Sequence, residues 1–186
     1  MVRRTSRRSS IKSSKAGIRQ STAIKDTELA DYSVCTTWGV KERHLYLLNV
    51  YRHKLDFPNL KRSVKELAQL YKADIVLIED KGSGSSLIQE LRAEDFSIVQ
   101  AAPALDVDKV MRLRAQTAKI EGGFVRFPKK ESWLHDYLTE LLAFPNSKYD
   151  DQVDSTVYAL AWSTASEPPS YYTEENMQGL ERLIYS

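Results

Sequence analysis

A short apolar run with a helical pattern on each side constrains the fold of this chain more than any other feature of its sequence. The run is ADIVLI, from Ala73 to Ile78, and it is typical of a strand that is covered on both faces. Before it, Pro58 and Asn59 open a stretch with apolar residues at three- and four-residue spacing, and after Gly82 and Gly84 a second such stretch follows. Because a helix between strands needs a crossover connection, the pattern predicts an α/β fold.

The rest of the chain extends this alternation in both directions. The runs YSVCTTW and HLYLLNVYR, joined by GVKER, are rich in β-branched and aromatic residues and predict a hairpin ahead of the first helix. After the second helix, the pattern predicts a strand that ends at Pro103, a helix from Asp106 to Glu121, and a short strand FVRF. Two more helices are predicted, one with Ser132 as its N-cap and one that starts at Asp150.

The positive charge of the chain is concentrated at its beginning. The formal net charge of the 186 residues is only +2, but residues 1–20 carry seven arginines and lysines and no acid. This stretch is predicted to be a disordered basic arm, which either neutralises phosphates or is a tail unrelated to the rest. The predicted folded domain covers residues 21–166, and residues 167–186 are predicted to be a loosely attached C-terminal tail.

Several protein classes are disfavoured by what the sequence lacks. No run approaches the roughly 20 consecutive apolar residues of a membrane-spanning helix, and the basic start has no secretory apolar stretch, so we expect a cytoplasmic protein with no membrane partner. Cys35 is the only cysteine and the three histidines are scattered, which argues against an internal disulfide or a structural zinc site. No P-loop motif occurs, so we expect no ATP site in this chain.

Two groups of acids lie where a sheet of this kind usually has its functional site. Glu79 and Asp80 follow the apolar strand directly, and Asp150, Asp151 and Asp154 lie at the start of the last helix. Ligands of such sheets gather beyond the carboxyl ends of the strands, and Asp151 and Asp154 share one helix face. Clustered carboxylates repel each other and suit Mg²⁺ or Mn²⁺, so the two groups are candidates for one metal site.

Each group of acids also has an ordinary structural interpretation. Asp150 and Asp151 suit any helix N-terminus, because the first-turn amides and the helix dipole favour negative charge there. Glu79 and Asp80 suit a solvated strand end beside Lys81. The combination of the two groups favours the metal site, and the segment GSGSS, which follows Glu79 and Asp80, lets a backbone approach a phosphate closely.

Four segments of the sequence resemble one protein family. They are DYSVCTTWGV, VLIEDKGSGSSLIQEL, DKVMRLRAQTAKIEGG and WLHDYLTELLAFPNSKYDDQVDSTVYALAW, and the resemblance covers roughly residues 21–166. The sequence is similar to the C-terminal nuclease domain of tailed-phage or prophage terminase large subunits, and YDDQVDS is the most specific element. The resemblance implies a ribonuclease-H-like fold, with a mixed central sheet flanked by helices, and metal-dependent cutting of double-stranded DNA during viral genome packaging.

The resemblance also implies roles for individual residues. Glu79 and Asp151 match catalytic acids of the family, which fix two Mg²⁺ or Mn²⁺ ions in phosphodiester hydrolysis. Asp150 and Asp80 are further candidate metal ligands. Asp154 is a candidate for a residue that contacts the ligands rather than the metal. The candidate contacts to the DNA backbone, for which ordinary surface charge is the alternative, are Lys81, Lys109, Arg112, Arg114, Lys119 and Lys148.

One acid of the family has no counterpart in this sequence. In the family, an aspartate on the first strand precedes a Thr-Ala pair, whereas here Ser21 precedes Thr22 and Ala23 and no apolar run marks a first strand. Asp26 and Asp31 are candidate substitutes, although both belong to the turn after that strand in the family pattern. We therefore expect the first strand to be missing or altered, and catalysis to be impaired because one of three metal carboxylates is replaced.

The expected function is a metal-dependent endonuclease domain of a phage packaging terminase, without the ATPase domain and with impaired activity. Double-stranded DNA is the implied substrate, and the terminase ATPase, the small subunit and the portal are implied partners in the cytoplasm of a bacterial host. Two alternatives stay open. The chain is a non-catalytic prophage remnant or DNA-binding module of the same fold, or it is a resolvase- or transposase-like nuclease.

Overall fold

The computed structural model describes residues 19–25, 32–41 and 43–165, with the backbone alone at 19–25 and 164–165. A hairpin followed by alternating helices and strands is present, as predicted. The strands are β1 (Arg19–Lys25), β2 (Ser33–Lys41), β3 (His44–His53), β4 (Ile75–Ile78), β5 (Val99–Ala101) and β6 (Val125–Arg126). The helices are α1 (Phe57–Leu70), α2 (Ser83–Ala93), α3 (Lys109–Glu121), α4 (Leu134–Ala143) and α5 (Asp151–Ala165).

The described strands form one mixed sheet in the order β5-β4-β1-β2-β3-β6. β4 runs parallel to both β1 and β5, whereas β2 runs antiparallel to both β1 and β3. β6 completes the sheet at the far edge, parallel to β3. A mixed sheet flanked by helices is the architecture that the resemblance implies, and this part of the prediction is confirmed.

The first strand is present, so of the two expectations for it, missing or altered, the first is wrong. β1, with the sequence RQSTAIK, pairs along its full length with β2, and its residues 21–24 also pair with β4. The sequence of β1 is mostly polar, so no apolar run marks it as a strand. A strand between two neighbours forms backbone hydrogen bonds on both edges, and these bonds do not depend on apolar side chains. β1 begins at Arg19, so it includes the last two residues of the predicted basic arm; residues 1–18 and 166–186 lie outside the described part of the chain.

The alternation of side chains along β4 separates two apolar cores. Ile75 and Leu77 belong to the core that contains Leu160 of α5. Val76 and Ile78 belong to the core under α1 and α2, on the other face of the sheet. Because successive strand residues point to opposite faces, the residue that follows β4 is directed to the α5 side.

The starts of two helices differ from their predicted positions. α3 begins at Lys109 rather than at Asp106, because the side chain of Asp108 caps it by accepting a hydrogen bond of 3.0 Å from the Met111 amide. α4 begins after Trp133 with no side-chain cap, so the prediction of Ser132 as its N-cap is wrong. No helix in the described ranges is both long enough and apolar enough to cross a membrane.

Candidate functional site

Glu79 follows the last residue of β4 and meets α5. Its Oε1 atom accepts a hydrogen bond of 2.8 Å from the hydroxyl of Tyr158, and its side chain is 15% exposed. The ammonium of Lys81 lies 3.7 Å from the same oxygen. Burial, followed by the hydrogen bond to Glu79, raises the pKa of Tyr158, so the hydroxyl remains a donor at neutral pH. The carboxylate is therefore held between the end of the strand and the last helix.

The face of α5 that meets Glu79 carries two buried acids. Asp151, Asp154 and Tyr158 follow each other at spacings of three and four residues, which places them on one side of the helix. Asp151 is 7% exposed and Asp154 is 5% exposed. Besides burial, the negative charges of Glu79 and Asp154 raise the pKa of Tyr158, which is the effect of two carboxylates near its hydroxyl. The structure thus brings the acid after β4 to the acidic face of α5.

Two glycines shape the loop between Glu79 and α2. Gly84 passes so close to the strand that a Cβ atom on it would lie 2.1 Å from the carbonyl oxygen of Glu79. Gly82 has a φ of +52°, a conformation that other residues rarely adopt. Asp80 is exposed, and its Oδ1 accepts a hydrogen bond of 2.6 Å from the hydroxyl of Ser85. The segment GSGSS therefore packs α2 against the strand end, a constraint that the sequence interpretation, a close approach to phosphate, did not foresee.

Lys109, the first residue of α3, links two acids at the start of α5. Its ammonium lies 3.0 Å from Oδ2 of Asp154 and also donates to Oδ2 of Asp150. Further along α3, the positive charge of Arg112 lowers the pKa of Tyr158 against the larger effect of burial. α3 therefore brings positive charge to the region where the acids meet.

The described carboxylates are chemically suited to a divalent cation, but too few of them lie together to hold two ions. Converging carboxylate oxygens are the ligands that Mg²⁺ and Mn²⁺ prefer. However, no group of three or more His, Cys, Asp or Glu side chains within residues 32–41 and 43–163 is arranged to hold a metal ion. The donor types fit a single cation with few protein ligands, and the described residues do not by themselves form the two-ion centre that the resemblance implies.

The position of the expected first-strand aspartate lies far from Glu79 along the sheet. Ser21 pairs with Ile75 at the start of β4, whereas Glu79 follows the other end of that strand. At about 3.3 Å per residue, the two positions are about 13 Å apart along the strand direction. The candidate substitutes Asp26 and Asp31 lie outside the described residues.

The remaining basic residues with a predicted DNA contact differ in their surroundings. Lys81, Arg114 and Lys148 are exposed, and Lys81 lies beside Glu79. Lys119 lies against α5, where its ammonium donates to a backbone carbonyl and, at 3.3 Å, to a serine hydroxyl. Contact of any of these side chains with DNA stays a prediction.

Sequence reasoning missed Tyr158 as a residue of the site. The signal was present, because Tyr158 follows Asp154 by four residues and Asp151 by seven, which is the spacing of one helix face. Because Tyr158 lies in the apolar run VYALAW, the sequence indicates an ordinary core residue at this position.

A second unpredicted feature adjoins the start of α5. The guanidinium of Arg52 lies 4.1 Å from the ring centre of Tyr32 and 4.8 Å from that of Tyr149. Arg52 and Tyr149 also line a cavity of about 330 Å³, together with residues of α4. These residues come from three separate parts of the chain, so no local sequence pattern connects them.

The sequence matches the family described as the terminase RNaseH-like domain over residues 22–162, well over half of the chain. The chain belongs to this family. The mixed sheet flanked by helices agrees with this match. No curated protein matches the sequence.

Solved terminase structures resemble this terminase RNaseH-like domain. The large terminase nuclease of thermophilic phage G20c, solved with zinc and also with magnesium, is 22% identical in its zinc form, with a TM-score of 0.61 over 77% of this chain and 81% of that chain. The manganese-soaked terminase nuclease domain of human cytomegalovirus is 9% identical, with a TM-score of 0.57 over 78% of this chain and 82% of that chain. The large terminase of a second thermophilic bacteriophage is 14% identical, with a TM-score of 0.58 over 77% of this chain, which spans only 39% of that protein. At these identities the likeness concerns the fold.

Proposed function

We propose that this terminase RNaseH-like domain is a metal-dependent endonuclease of phage DNA packaging that cuts double-stranded DNA by phosphodiester hydrolysis. The observation that carries the proposal is the 2.8 Å hydrogen bond from Tyr158 to Glu79. It joins the acid after β4 to the helix that carries Asp151 and Asp154. Membership of the family supplies the substrate class.

In this proposal Glu79 and Asp151 hold a divalent cation, Mg²⁺ or Mn²⁺. The bound cation would supply Lewis acidity at the scissile phosphate and lower the pKa of an attacking water. Tyr158 keeps the carboxylate of Glu79 in one orientation, and Asp154 lies one helical turn from Asp151. The G20c nuclease with bound magnesium, zinc or cobalt and the cytomegalovirus nuclease soaked with manganese support a divalent ion, and the carboxylate oxygens favour Mg²⁺ or Mn²⁺.

We infer that cutting is slow compared with a site built on three carboxylates. Each ligand fixes the position of the cation, and a site with fewer protein ligands holds it less tightly. The exposed lysines Lys81 and Lys148 would attract the DNA backbone by charge, without reading its sequence.

The proposed partners are double-stranded DNA, the terminase ATPase, the small subunit and the portal, in the cytoplasm of a bacterial host. They rest on membership of the terminase family. Co-purification of this chain with each packaging protein from infected cells tests them individually. Family membership also argues against the resolvase and transposase alternatives.

A second candidate function is DNA binding without cutting. The observation that favours it is Lys109, whose ammonium bonds to Asp150 and lies 3.0 Å from Asp154, where a nuclease of this family would need its acids for metal. Such a protein would bind duplex DNA through its basic residues and leave it intact.

Nicking of supercoiled plasmid in Mn²⁺ separates the two candidates. The endonuclease proposal predicts nicking that EDTA stops and that both Glu79→Gln and Asp151→Asn abolish. The control variant is Glu66→Gln, which changes an exposed acid of α1 on the other face of the sheet and should leave nicking unchanged. Intact plasmid at high protein concentration, together with a gel shift of duplex DNA at low salt, would instead support the non-cutting binder.

A further inference from the structure

A lysine lies inside the group of acids at the start of α5. The ammonium of Lys109 is 3.0 Å from Oδ2 of Asp154 and also donates to Oδ2 of Asp150. The Asp154 side chain is only 6% exposed, so its charge is balanced by neighbouring protein groups more than by water. The Asp108 cap fixes the backbone of the first turn of α3 beside α5, and the Lys109 side chain, 41% exposed, reaches the two acids from there.

An ammonium and a divalent ion compete for the same carboxylates, because each brings positive charge to them. An ammonium has three donors and no lone pair, so it accepts no metal and binds carboxylates as a compact positive charge. A divalent ion placed on Asp150 or Asp154 would approach this charge to a few ångströms and be repelled by it. As long as Lys109 keeps both contacts, its charge opposes the binding of a second divalent ion to these two acids.

We propose that Lys109 takes the place of one of the two divalent cations, so that the chain binds at most one divalent ion. The remaining ion is the one that we assign to Glu79 and Asp151. The presence of that ion rests on the proposed function, whereas the role of Lys109 does not. A lysine supplies fixed positive charge to the acids, but it does not coordinate water, so it does not generate a metal-bound nucleophile. This accounts for a domain that has the terminase fold without a three-carboxylate group in its described part.

A second lysine of the chain provides a matched control. Lys61 also bridges two carboxylates, with its ammonium 2.6 Å from Glu90 and 2.9 Å from Glu94. Glu90 belongs to α2, and Glu94 directly follows that helix. Both are exposed and lie on the face of the sheet away from α5. Removal of Lys61 takes its ammonium from Glu90 and leaves Glu94 bonded to Lys65, without changing the acids at the start of α5.

The test is a titration of the full chain with Mn²⁺, with the number of bound ions and their affinity measured for four proteins. Wild type is expected to bind at most one ion, and Lys109→Met is expected to bind one more. Because a unit charge nearby is gone, the affinity of the variant for this additional ion should exceed any residual wild-type affinity for a second ion by at least about tenfold. Lys109→Arg, which keeps the charge, and Lys61→Met should both match wild type. Two ions in wild type, or no gain in Lys109→Met, would overturn the proposal.

The same titration distinguishes failure of this inference from failure of the proposed function. If wild type binds no ion and Lys109→Met binds one, the role of Lys109 stands and the site at Glu79 and Asp151 does not. If Lys109→Met is unfolded without metal by circular dichroism, Mn²⁺ must restore its folding, because Asp150 and Asp154 have lost the positive charge of Lys109 and the ion replaces it. A variant that stays unfolded in Mn²⁺ while Lys61→Met folds normally contradicts the proposal.

Discussion

The hydroxyl of Tyr158 donates a hydrogen bond of 2.8 Å to Oε1 of Glu79, and this bond joins the last helix to the end of a central strand. Tyr158 is only 5% exposed, so water competes little for the bond. The tyrosine is therefore expected to position the carboxylate that we propose as a metal ligand, without touching the DNA itself.

Tyr158→Phe removes the donor and leaves the ring in place. We expect Mn²⁺-dependent nicking to fall about tenfold, which corresponds to about 1.4 kcal/mol, and the free energy of unfolding to fall by about 1–2 kcal/mol. The control is Tyr137→Phe, because Tyr137 is also buried but bonds to Thr156, at 2.8 Å. Equal loss of nicking in both folded variants would show that Tyr158 acts through stability alone.

The raised pKa of Tyr158 predicts a pH dependence of stability. Burial, the largest cause, keeps the folded pKa above the ordinary value of 10.0, so the folded chain holds a proton that the unfolded chain releases. This contribution to stability is complete below the unfolded pKa and is lost as pH rises through the folded pKa. Above about pH 10, the free energy of unfolding should therefore fall faster in wild type than in Tyr158→Phe, by at most about 1.4 kcal/mol per pH unit. Urea unfolding at about pH 8 and about pH 11 measures this difference, and parallel losses in the two proteins would contradict it.

Gly84 is expected to be the most sensitive glycine of the site. In Gly84→Ala the new Cβ would meet the carbonyl oxygen of Glu79 at 2.1 Å, so α2 or the strand end must move. We expect a loss of about 1–3 kcal/mol in the free energy of unfolding, and a loss of nicking in the protein that remains folded. Gly82→Ala is the matched control, because its cost comes from the positive φ alone and no atom lies within 4 Å of the added Cβ. Unchanged nicking in a folded Gly84→Ala protein would show that Glu79 tolerates this displacement.

Ser21→Asp is expected not to restore the acid that the family carries on its first strand. Ser21 pairs with Ile75, so the new carboxylate would enter the sheet about 13 Å before Glu79 along the strands. We expect nicking to stay at the wild-type rate or to fall, since a charge is added to a central strand. A clear gain in Mn²⁺-dependent nicking would mean that the register of β1 with β4 differs from the one described.

Local patterns were sufficient for the elements that carry their own signals. The apolar run of β4 and the acids that follow it, Glu79 and Asp80, could be predicted because a buried strand and its polar end are contiguous in sequence. The acidic start of α5 was predicted for the same reason, since helix spacing alone puts Asp151 and Asp154 on one face.

Features that depend on distant parts of the chain could not be predicted. β1 has a polar sequence, and its strand state comes from pairing with β2 and β4, which lie later in the chain. The contact of Lys109 with Asp150 and Asp154 depends on how α3 packs beside α5 and has no sequence signal. The position after the strand did not separate Glu79 from Asp80, and only the resemblance favoured Glu79; in the structure Asp80 is exposed and Glu79 is bonded to Tyr158.

The central claim is that Glu79 and Asp151 hold one divalent cation between the end of β4 and α5. The most direct measurement is binding of Mn²⁺ to the full chain by electron paramagnetic resonance, in wild type and in the double variant Glu79→Gln/Asp151→Asn. We predict one bound ion per chain in wild type and none in the double variant, with unchanged circular dichroism. An ion that remains bound in the folded double variant with the wild-type affinity would contradict the claim.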